Sequence, residues 1–216
     1  MNTSIKGYEA NLLEVTLEPA ESFYAQRGAL VYMDDGIESD TRWNGRGVWR
    51  TLFAGFSGES ILLVRYTNTT GQPRKLCLAG SRLGIYPITI TPTQHIILRR
   101  GSYVASEQRI QLSIDASFKK LFAGMGLFFQ HVQGSGTVFI ETVGQPISKT
   151  LSPGETIQID EDHLIALIDI SDDRIVPTVR VSHLLQGEGF SRMRITGPGT
   201  VLLSPISIPT LRPKNS

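Results

Sequence analysis

LFAGMGLFFQHVQGSGTVFIE, residues 121–141, holds two segments rich in apolar and β-branched residues on either side of a glycine-rich turn. The first segment covers residues 127–132, the turn is Gly134-Ser135-Gly136, and the second segment covers residues 137–143. Two such segments joined by a short glycine-containing loop predict a β-hairpin. We therefore expect a chain built from strands, with this stretch as its basic unit.

Parts of this stretch recur elsewhere in the chain. The LFAG at 121–124 is repeated at 52–55 and, more weakly, as LLQG at 184–187. A second phrase, RGALV at 27–31, is echoed by RGSYV at 100–104 and more faintly by DHLIA at 162–166. Several matches in the same order predict internal duplication, in which each unit is a small meander that completes its core by stacking on the next.

Short strands separated by glycine and proline turns continue through the rest of the chain. Residues 152–155, Ser-Pro-Gly-Glu, predict a type II turn, because proline presets φ and glycine accepts the positive φ that follows. Residues 164–170 are almost entirely apolar, which is typical of a strand covered on both faces. Together these patterns predict an all-β, internally duplicated antiparallel sandwich or barrel. We expect one domain over residues 1–210, with repeat units at 27–98, 100–160 and 162–204, and a tail at 211–216.

The composition limits the classes of partner. The 216 residues are 40% hydrophobic and 19% charged, and 21 basic against 20 acidic residues give a net charge of +1. A chain this close to neutral has no general attraction for nucleic acid or anionic membranes, so such binding would need a local patch. No apolar run approaches the roughly 18 residues of a membrane span, and no signal-peptide pattern is present. We expect a cytoplasmic protein.

Residues able to bind metals or catalyse reactions are dispersed in the sequence. Cys77, the only cysteine, lies in an apolar run, which favours a buried and unreactive thiol. The acidic cluster 160–163, Asp-Glu-Asp-His, could bind a cation or act as acid and base, but a turn between two strands explains it with fewer assumptions. The histidines are not spaced as metal ligands, and we interpret them as strand or loop residues: His95, His131, His163 and His183. We expect no enzyme activity, no metal and no cofactor.

The most suggestive surface is the segment 42–50, RWNGRGVWR, in which arginines alternate with tryptophans. Such a segment could stack on bases and neutralise phosphates of single-stranded nucleic acid, together with Arg99 and Arg100. It could equally anchor a subunit interface, where tryptophan and arginine are favoured. The near-neutral net charge favours the interface. The candidate contact residues are Arg42, Trp43, Arg46, Trp49 and Arg50.

The ordered set of motifs resembles one family. The segments RGSYVA at 100–105, LFAGMGLFFQ at 121–130, GSGTVF at 134–139 and GEGF at 187–190 followed by TGPGTVLL at 196–203 are similar to the altered-inheritance-of-mitochondria protein twenty-four family. The resemblance covers about residues 5–208 and favours a bacterial member. It implies a fold like that of the tryptophan RNA-binding attenuation protein, related to a double-stranded β-helix, and a trimeric or ring-like assembly. It supplies no catalytic residues.

Two functions follow as hypotheses. The first is a non-enzymatic, homo-oligomeric scaffold or interaction protein with an unknown protein partner, a trimer being favoured by the resemblance. The alternative is a module on the same fold that binds RNA or a small ligand through segment 42–50. Binding of RNA or tryptophan by analogy to the attenuation protein would rest on fold similarity alone, and a fold by itself does not specify a function.

Overall fold

The computed structural model describes residues 1–8, 10–41, 63–82, 84–113, 129–179 and 191–207. Within these ranges the chain forms nineteen β-strands, two short 3-10 helices at Glu161–His163 and Asp172–Arg174, and no α-helix. The all-β prediction is therefore confirmed. The strands are Asn2–Lys6 (β1), Leu12–Leu17 (β2), Ser22–Gln26 (β3), Leu30–Met33 (β4), Ile37–Asp40 (β5), Leu63–Asn68 (β6), Arg74–Leu78 (β7), Gly84–Ile90 (β8), Ile96–Arg99 (β9), Tyr103–Ser106 (β10), Gln111–Ser113 (β11), Phe129–Gln133 (β12), Gly136–Thr142 (β13), Ile147–Leu151 (β14), Thr156–Asp160 (β15), Leu164–Ile168 (β16), Ile175–Val179 (β17), Ser191–Thr196 (β18) and Gly199–Leu203 (β19).

The described strands form four sheets in two compact units. The first unit comprises Met1–Thr89, Tyr103–Arg109 and Gly136–Glu141, and it holds the sheets β1-β2-β7-β4 and β5-β6-β3-β10-β13-β8. The second unit comprises Ile90–Ser102, Ile110–Ser135 and Thr142–Ser216, and it holds the sheets β11-β12-β9-β16-β19-β14 and β15-β18-β17. The registered pairs are antiparallel in both units, as the short strands and turns predicted.

One pairing scheme occurs three times along the chain, in strands β2–β7, β8–β13 and β14–β19. In each set of six, the first, sixth and third strands pair side by side, as in β2-β7-β4. The fourth, fifth and second strands pair likewise, as in β5-β6-β3. The second strand of one set also pairs with the third strand of the next set, as β3 does with β10 and β9 with β16. Internal duplication and the unit boundaries 27–98, 100–160 and 162–204 stay predictions.

A β-bulge lies at the same place in the third strand of each set. The register shifts between Leu30 and Tyr32 in β4, between Tyr103 and Ala105 in β10, and between Leu164 and Ala166 in β16. A bulge adds one residue to a strand and turns the following side chains, so its position fixes how the three strands correspond. Leu30 therefore corresponds to Leu164. The echo of RGALV at 27–31 in DHLIA at 162–166 instead matches Leu30 with Ile165, one residue away from the correspondence of the bulges.

The cores arise from strand alternation. In β2, Leu13, Val15 and Leu17 are completely buried while the residues between them are half-buried, which is the period-2 pattern of a sheet with one covered face. Each buried side chain of this size contributes about 1.5–3 kcal/mol relative to an exposed one. In the first unit the rings of Phe23 and Phe139 pack with centroids 5.9 Å apart. The second unit has a separate buried core, which includes Ile97, Leu164, Leu167, Met193, Ile195 and Val201.

Two local predictions from the sequence are confirmed. The turn at 152–155 closes with a 3.0 Å hydrogen bond from the Glu155 N–H to the Ser152 carbonyl, and Gly154 has φ of +80°. A positive φ at this position is what a type II turn requires of its third residue. The apolar run 164–170 contains β16, whose first four residues are buried. Both patterns depend on local chemistry, which the sequence contains in full.

The predicted hairpin around Gly134-Ser135-Gly136 is wrong. The strands on either side, β12 and β13, belong to different sheets: β12 pairs with β11 and β9, whereas β13 pairs with β10. The same break separates β6 from β7 and β18 from β19. A glycine-rich turn shows that the chain changes direction, but it does not specify whether the second strand returns to its predecessor or enters another sheet.

Candidate functional site

The most exposed apolar strand among the described residues is β4, at the end of the sheet β1-β2-β7-β4. Leu30, Val31, Tyr32 and Met33 are 38%, 51%, 47% and 38% exposed. An edge strand presents unpaired backbone N–H and C=O groups, and an apolar one also presents side chains that water solvates poorly. In the sequence this segment is part of a repeated phrase, and no feature of it indicates a candidate site.

The counterparts of β4 in the other two sets are covered. All four residues of β10 are buried, and so are the first four residues of β16. The cover comes from the preceding set, because Ala105 of β10 lies opposite Ala25 of β3 and Ala166 of β16 lies opposite Leu98 of β9. No described strand occupies the corresponding place beside β4. Conversely β15, which corresponds to β3 and β9, is the last strand of its own sheet.

The predicted Arg/Trp contact segment, with Arg42, Trp43, Arg46, Trp49 and Arg50, lies outside the residues that the structure describes. So do the LFAG-type segments at 52–55, 121–124 and 184–187. Their roles stay predictions. Arg99, which the nucleic-acid hypothesis also used, is described and is only 5% exposed. Its guanidinium donates to the carbonyl oxygen of Asp162 at 3.0 Å and pairs with the Asp162 carboxylate at 3.3 Å. Arg99 is therefore buried within the fold and does not present its charge to a phosphate backbone.

The acidic cluster 160–163 is a structural turn in the described chain, as the simpler of its two interpretations predicted. Asp160 ends β15 and accepts a hydrogen bond from the Asp162 N–H at 2.9 Å, which caps the short helix Glu161–His163. Asp162 pairs with Arg99, Glu161 is buried, and the His163 Nδ1 bonds the Ser204 carbonyl at 2.7 Å. These contacts hold the turn in place.

Cys77 lies in β7 and is 3% exposed. Burial raises the pKa of its thiol, and the nearby Glu14 carboxylate raises it further. A thiol with a raised pKa forms little of the reactive thiolate at neutral pH. The prediction of a buried cysteine is confirmed, and its low reactivity stays a prediction.

Two histidines that are distant in the sequence meet in the second unit. The rings of His95 and His131 have centroids 5.0 Å apart. Both approach Asp172: His95 Nε2 lies 3.4 Å from Oδ1, and His131 Nε2 lies 3.8 Å from Oδ2. Their spacing in the sequence gave no metal-ligand signal. Strand pairing brings them together, and only the register of β9 against β12 could have shown it.

Comparison with known proteins identifies the family. The family model described as Mitochondrial biogenesis AIM24 matches residues 3–206. The chain belongs to the AIM24 family. The resemblance found in the sequence motifs is therefore confirmed over nearly the whole length.

Bacterial proteins resemble this AIM24 chain. An uncharacterized protein of Streptococcus pyogenes serotype M6 is 28% identical over an alignment of 163 residues. The match covers 72% of the chain but only 65% of that relative, just under two thirds of its length. A crystal structure of a Streptococcus pyogenes protein from a structural genomics consortium matches 96% of the chain and 94% of its own, with a TM-score of 0.70 and 23% identity. The second likeness shows a shared fold. No helix in the described part of the AIM24 chain is long and apolar enough to cross a membrane.

Proposed function

We propose that this AIM24 chain is a non-enzymatic β scaffold that assembles into homo-oligomers by pairing β4 of one copy with β15 of the next. The observation that supports the proposal is the exposed apolar surface of β4, whose counterparts β10 and β16 are buried. Pairing in trans would remove from water both the side chains and the unpaired backbone groups of this edge.

The register inside the chain predicts which residues meet. Ala105 and Ala166 each follow the first residue of their strand by two positions, as Tyr32 does in β4. Their partners are Ala25 of β3 and Leu98 of β9. Each lies five residues before the start of the third strand of its own set, and in the last set the residue at this place is Ile159 of β15. Antiparallel extension then places Tyr32 opposite Ile159. In the adjacent pair, Met33 lies opposite Gln158.

The two edges differ, so the contact is heterologous. Such a contact produces a closed ring when the rotation between successive copies closes, and a filament when it does not. Three copies are the number that the family resemblance favours. The non-enzymatic part of the proposal is supported by the acidic turn 160–163, in which the side chains of Asp160, Asp162 and His163 are engaged in contacts within the fold.

Cysteine cross-linking tests the pairing directly. Residues opposite each other in an antiparallel pair have Cβ atoms about 4.5–5.5 Å apart, within reach of a disulfide after small adjustments. In a Cys77→Ser background, Met33→Cys combined with Gln158→Cys should give covalent oligomers under mild oxidation. Both positions are exposed in the chain, so these substitutions spare the core. Non-reducing electrophoresis and light scattering of the wild type measure the outcome.

A shifted pair provides the control. Met33→Cys with Thr156→Cys moves one cysteine two residues along β15, where the diagonal separation is about 7–8 Å, and should cross-link much less. Equal cross-linking of both pairs, a product that remains at the 23.8 kDa of one chain, or a wild type that is monomeric at micromolar concentration would each contradict the proposal.

A further inference from the structure

We propose that His95, His131 and Asp172 form a binding site for a divalent transition-metal ion of the zinc type. The three side chains offer two imidazole nitrogens and one carboxylate oxygen, all within 4.8 Å of one another. The β4–β15 assembly does not involve these residues, so each proposal can be tested independently of the other.

The strand register explains why the two histidines share one face. His131 of β12 lies opposite Ile97 of β9. His95 precedes Ile97 by two residues and therefore points to the same side of the sheet. His95 and His131 are thus diagonal neighbours on a pair of antiparallel strands, a relation that brings long side chains into contact. Asp172 reaches them from the short helix Asp172–Arg174, which follows β16.

The distances are close to those of a coordination shell. Zinc holds imidazole nitrogen and carboxylate oxygen at about 2.0–2.2 Å in a tetrahedral arrangement, which places neighbouring ligand atoms about 3.3–3.6 Å apart. The separation of His95 Nε2 from Asp172 Oδ1 is 3.4 Å, and that of His131 Nε2 from Asp172 Oδ2 is 3.8 Å. These distances go to different oxygens of Asp172, but one ligand atom from each of the three residues lies within 4.8 Å of the others, so small side-chain rotations would bring the three to the spacing of a coordination shell.

A hydrogen bond on the side of the ring away from Asp172 fixes the orientation of His95. Its Nδ1 lies 2.9 Å from the carbonyl oxygen of Ile170, which can only accept, so Nδ1 is the donor and Nε2 is the nitrogen that faces Asp172. A backbone carbonyl bonded to the outer nitrogen is the usual support of a metal-binding histidine. His95 also holds the loop that carries Asp172. The backbone N–H of His95 donates to Asp169 Oδ1 at 3.1 Å, and the backbone N–H of Asp169 donates to the His95 carbonyl at 2.7 Å.

The donor set selects the kind of ion. Imidazole nitrogen suits zinc and similar transition metals, whereas Mg²⁺ and Ca²⁺ prefer oxygen ligands. All three residues are half-buried, which leaves a path for the ion and one coordination position for water or another ligand. Without a metal, Asp172 would serve only as a carboxylate shared by two histidines. The experiment therefore distinguishes a metal ligand from a shared carboxylate.

Titration of the full-length chain with zinc tests the site. After treatment with a chelator and its removal, calorimetry with ZnCl₂ should show one zinc ion bound per chain, and MgCl₂ should give no binding. His131→Gln and Asp172→Asn should each weaken zinc binding by more than about tenfold, since each removes a direct ligand. Circular dichroism of the variants confirms that the sheets are retained.

His163→Gln is the matched control. His163 lies in the same unit and its Nδ1 also bonds a backbone carbonyl, that of Ser204 at 2.7 Å, but it is outside the three-residue cluster. Zinc affinity should be unchanged in this variant. The proposal is overturned if the wild type binds no zinc, if His131→Gln binds as tightly as the wild type, or if His163→Gln loses as much affinity as His131→Gln. In the first case Asp172 acts only as the shared carboxylate.

Discussion

At the residue scale, Glu141 is a side chain of the first unit that is both buried and held by several polar contacts. It is completely buried, and its carboxylate receives hydrogen bonds from the Ser81 hydroxyl at 3.1 Å and from the backbone N–H of Arg82. The Arg82 guanidinium pairs with it at 2.7 Å. A Cβ at position 80 would meet the same carboxylate, so any other residue there would displace the Glu141 side chain. Glu141, which lies in β13, therefore holds residues 80–82, the turn that follows β7.

The Arg82–Glu141 pair gives a stability prediction. Arg82→Ala should lower the free energy of unfolding by about 3–5 kcal/mol, because it leaves a buried carboxylate without its counter-charge. Glu141→Gln should cost less, since the arginine that remains is partly exposed and water can solvate it. Urea unfolding monitored by circular dichroism measures both values.

Lys149→Ala is the comparison for this prediction. Lys149 pairs with Glu155 at 3.0 Å, but both side chains are exposed. Exposed pairs contribute little to stability because water and salt screen them. The urea midpoint of Lys149→Ala should thus stay near the wild-type value. If Arg82→Ala had the same midpoint as Lys149→Ala, the buried pair would not be a determinant of stability.

At the element scale, the recurring step is the passage from the fifth strand of a set to the sixth, which changes sheet. In the first set this step runs from β6 to β7, and Asn68 at the end of β6 holds it. Its buried amide donates to the carbonyls of Leu17 at 2.9 Å and Gln72 at 2.8 Å, and its oxygen accepts from the Thr70 N–H at 2.9 Å. One side chain thus joins β2, β6 and the connecting loop.

Asn68→Asp keeps the size of this side chain and removes its donors. We expect a loss of about 2–5 kcal/mol in the free energy of unfolding, because two carbonyl oxygens lose their partners and face a carboxylate instead. Thr69→Ala, which removes only an exposed hydroxyl bond to the Gly36 carbonyl, should cost less than about 1 kcal/mol. Thermal unfolding of the two variants provides the measurement. Equal losses would show that Asn68 is not the anchor of the crossover.

Strands were predictable at this scale, but their partners were not. The alternation of β2 and β15 and the Ser152–Glu155 turn follow from periods and dihedral preferences that neighbouring residues determine. Whether β13 returns to β12 depends on which apolar faces the two strands must cover. That choice involves β8 and β10, which are distant in the sequence. The hairpin prediction failed for this reason.

At the scale of the whole molecule, the pairing scheme leaves β4 and β15, among the described strands, without the neighbour that their counterparts have. If they pair between copies, their backbone amides should become protected from hydrogen exchange together as the protein concentration rises. Strand β14, an exposed edge strand with no place in the proposed contact, should show no such dependence. Exchange measured by mass spectrometry at two concentrations tests this. Protection of β4 without β15 would point to a different partner for β4.

The sequence by itself determined the strand content, the turns at its glycines and prolines, the burial of Cys77 and the family, because each depends on local composition or on an ordered set of motifs. Only the tertiary structure decided that β4 lacks the cover that β10 and β16 receive, and that His95, His131 and Asp172 meet. These features depend on the register between strands distant in the chain. Register follows from the simultaneous burial of many side chains, and no single stretch of sequence contains that information.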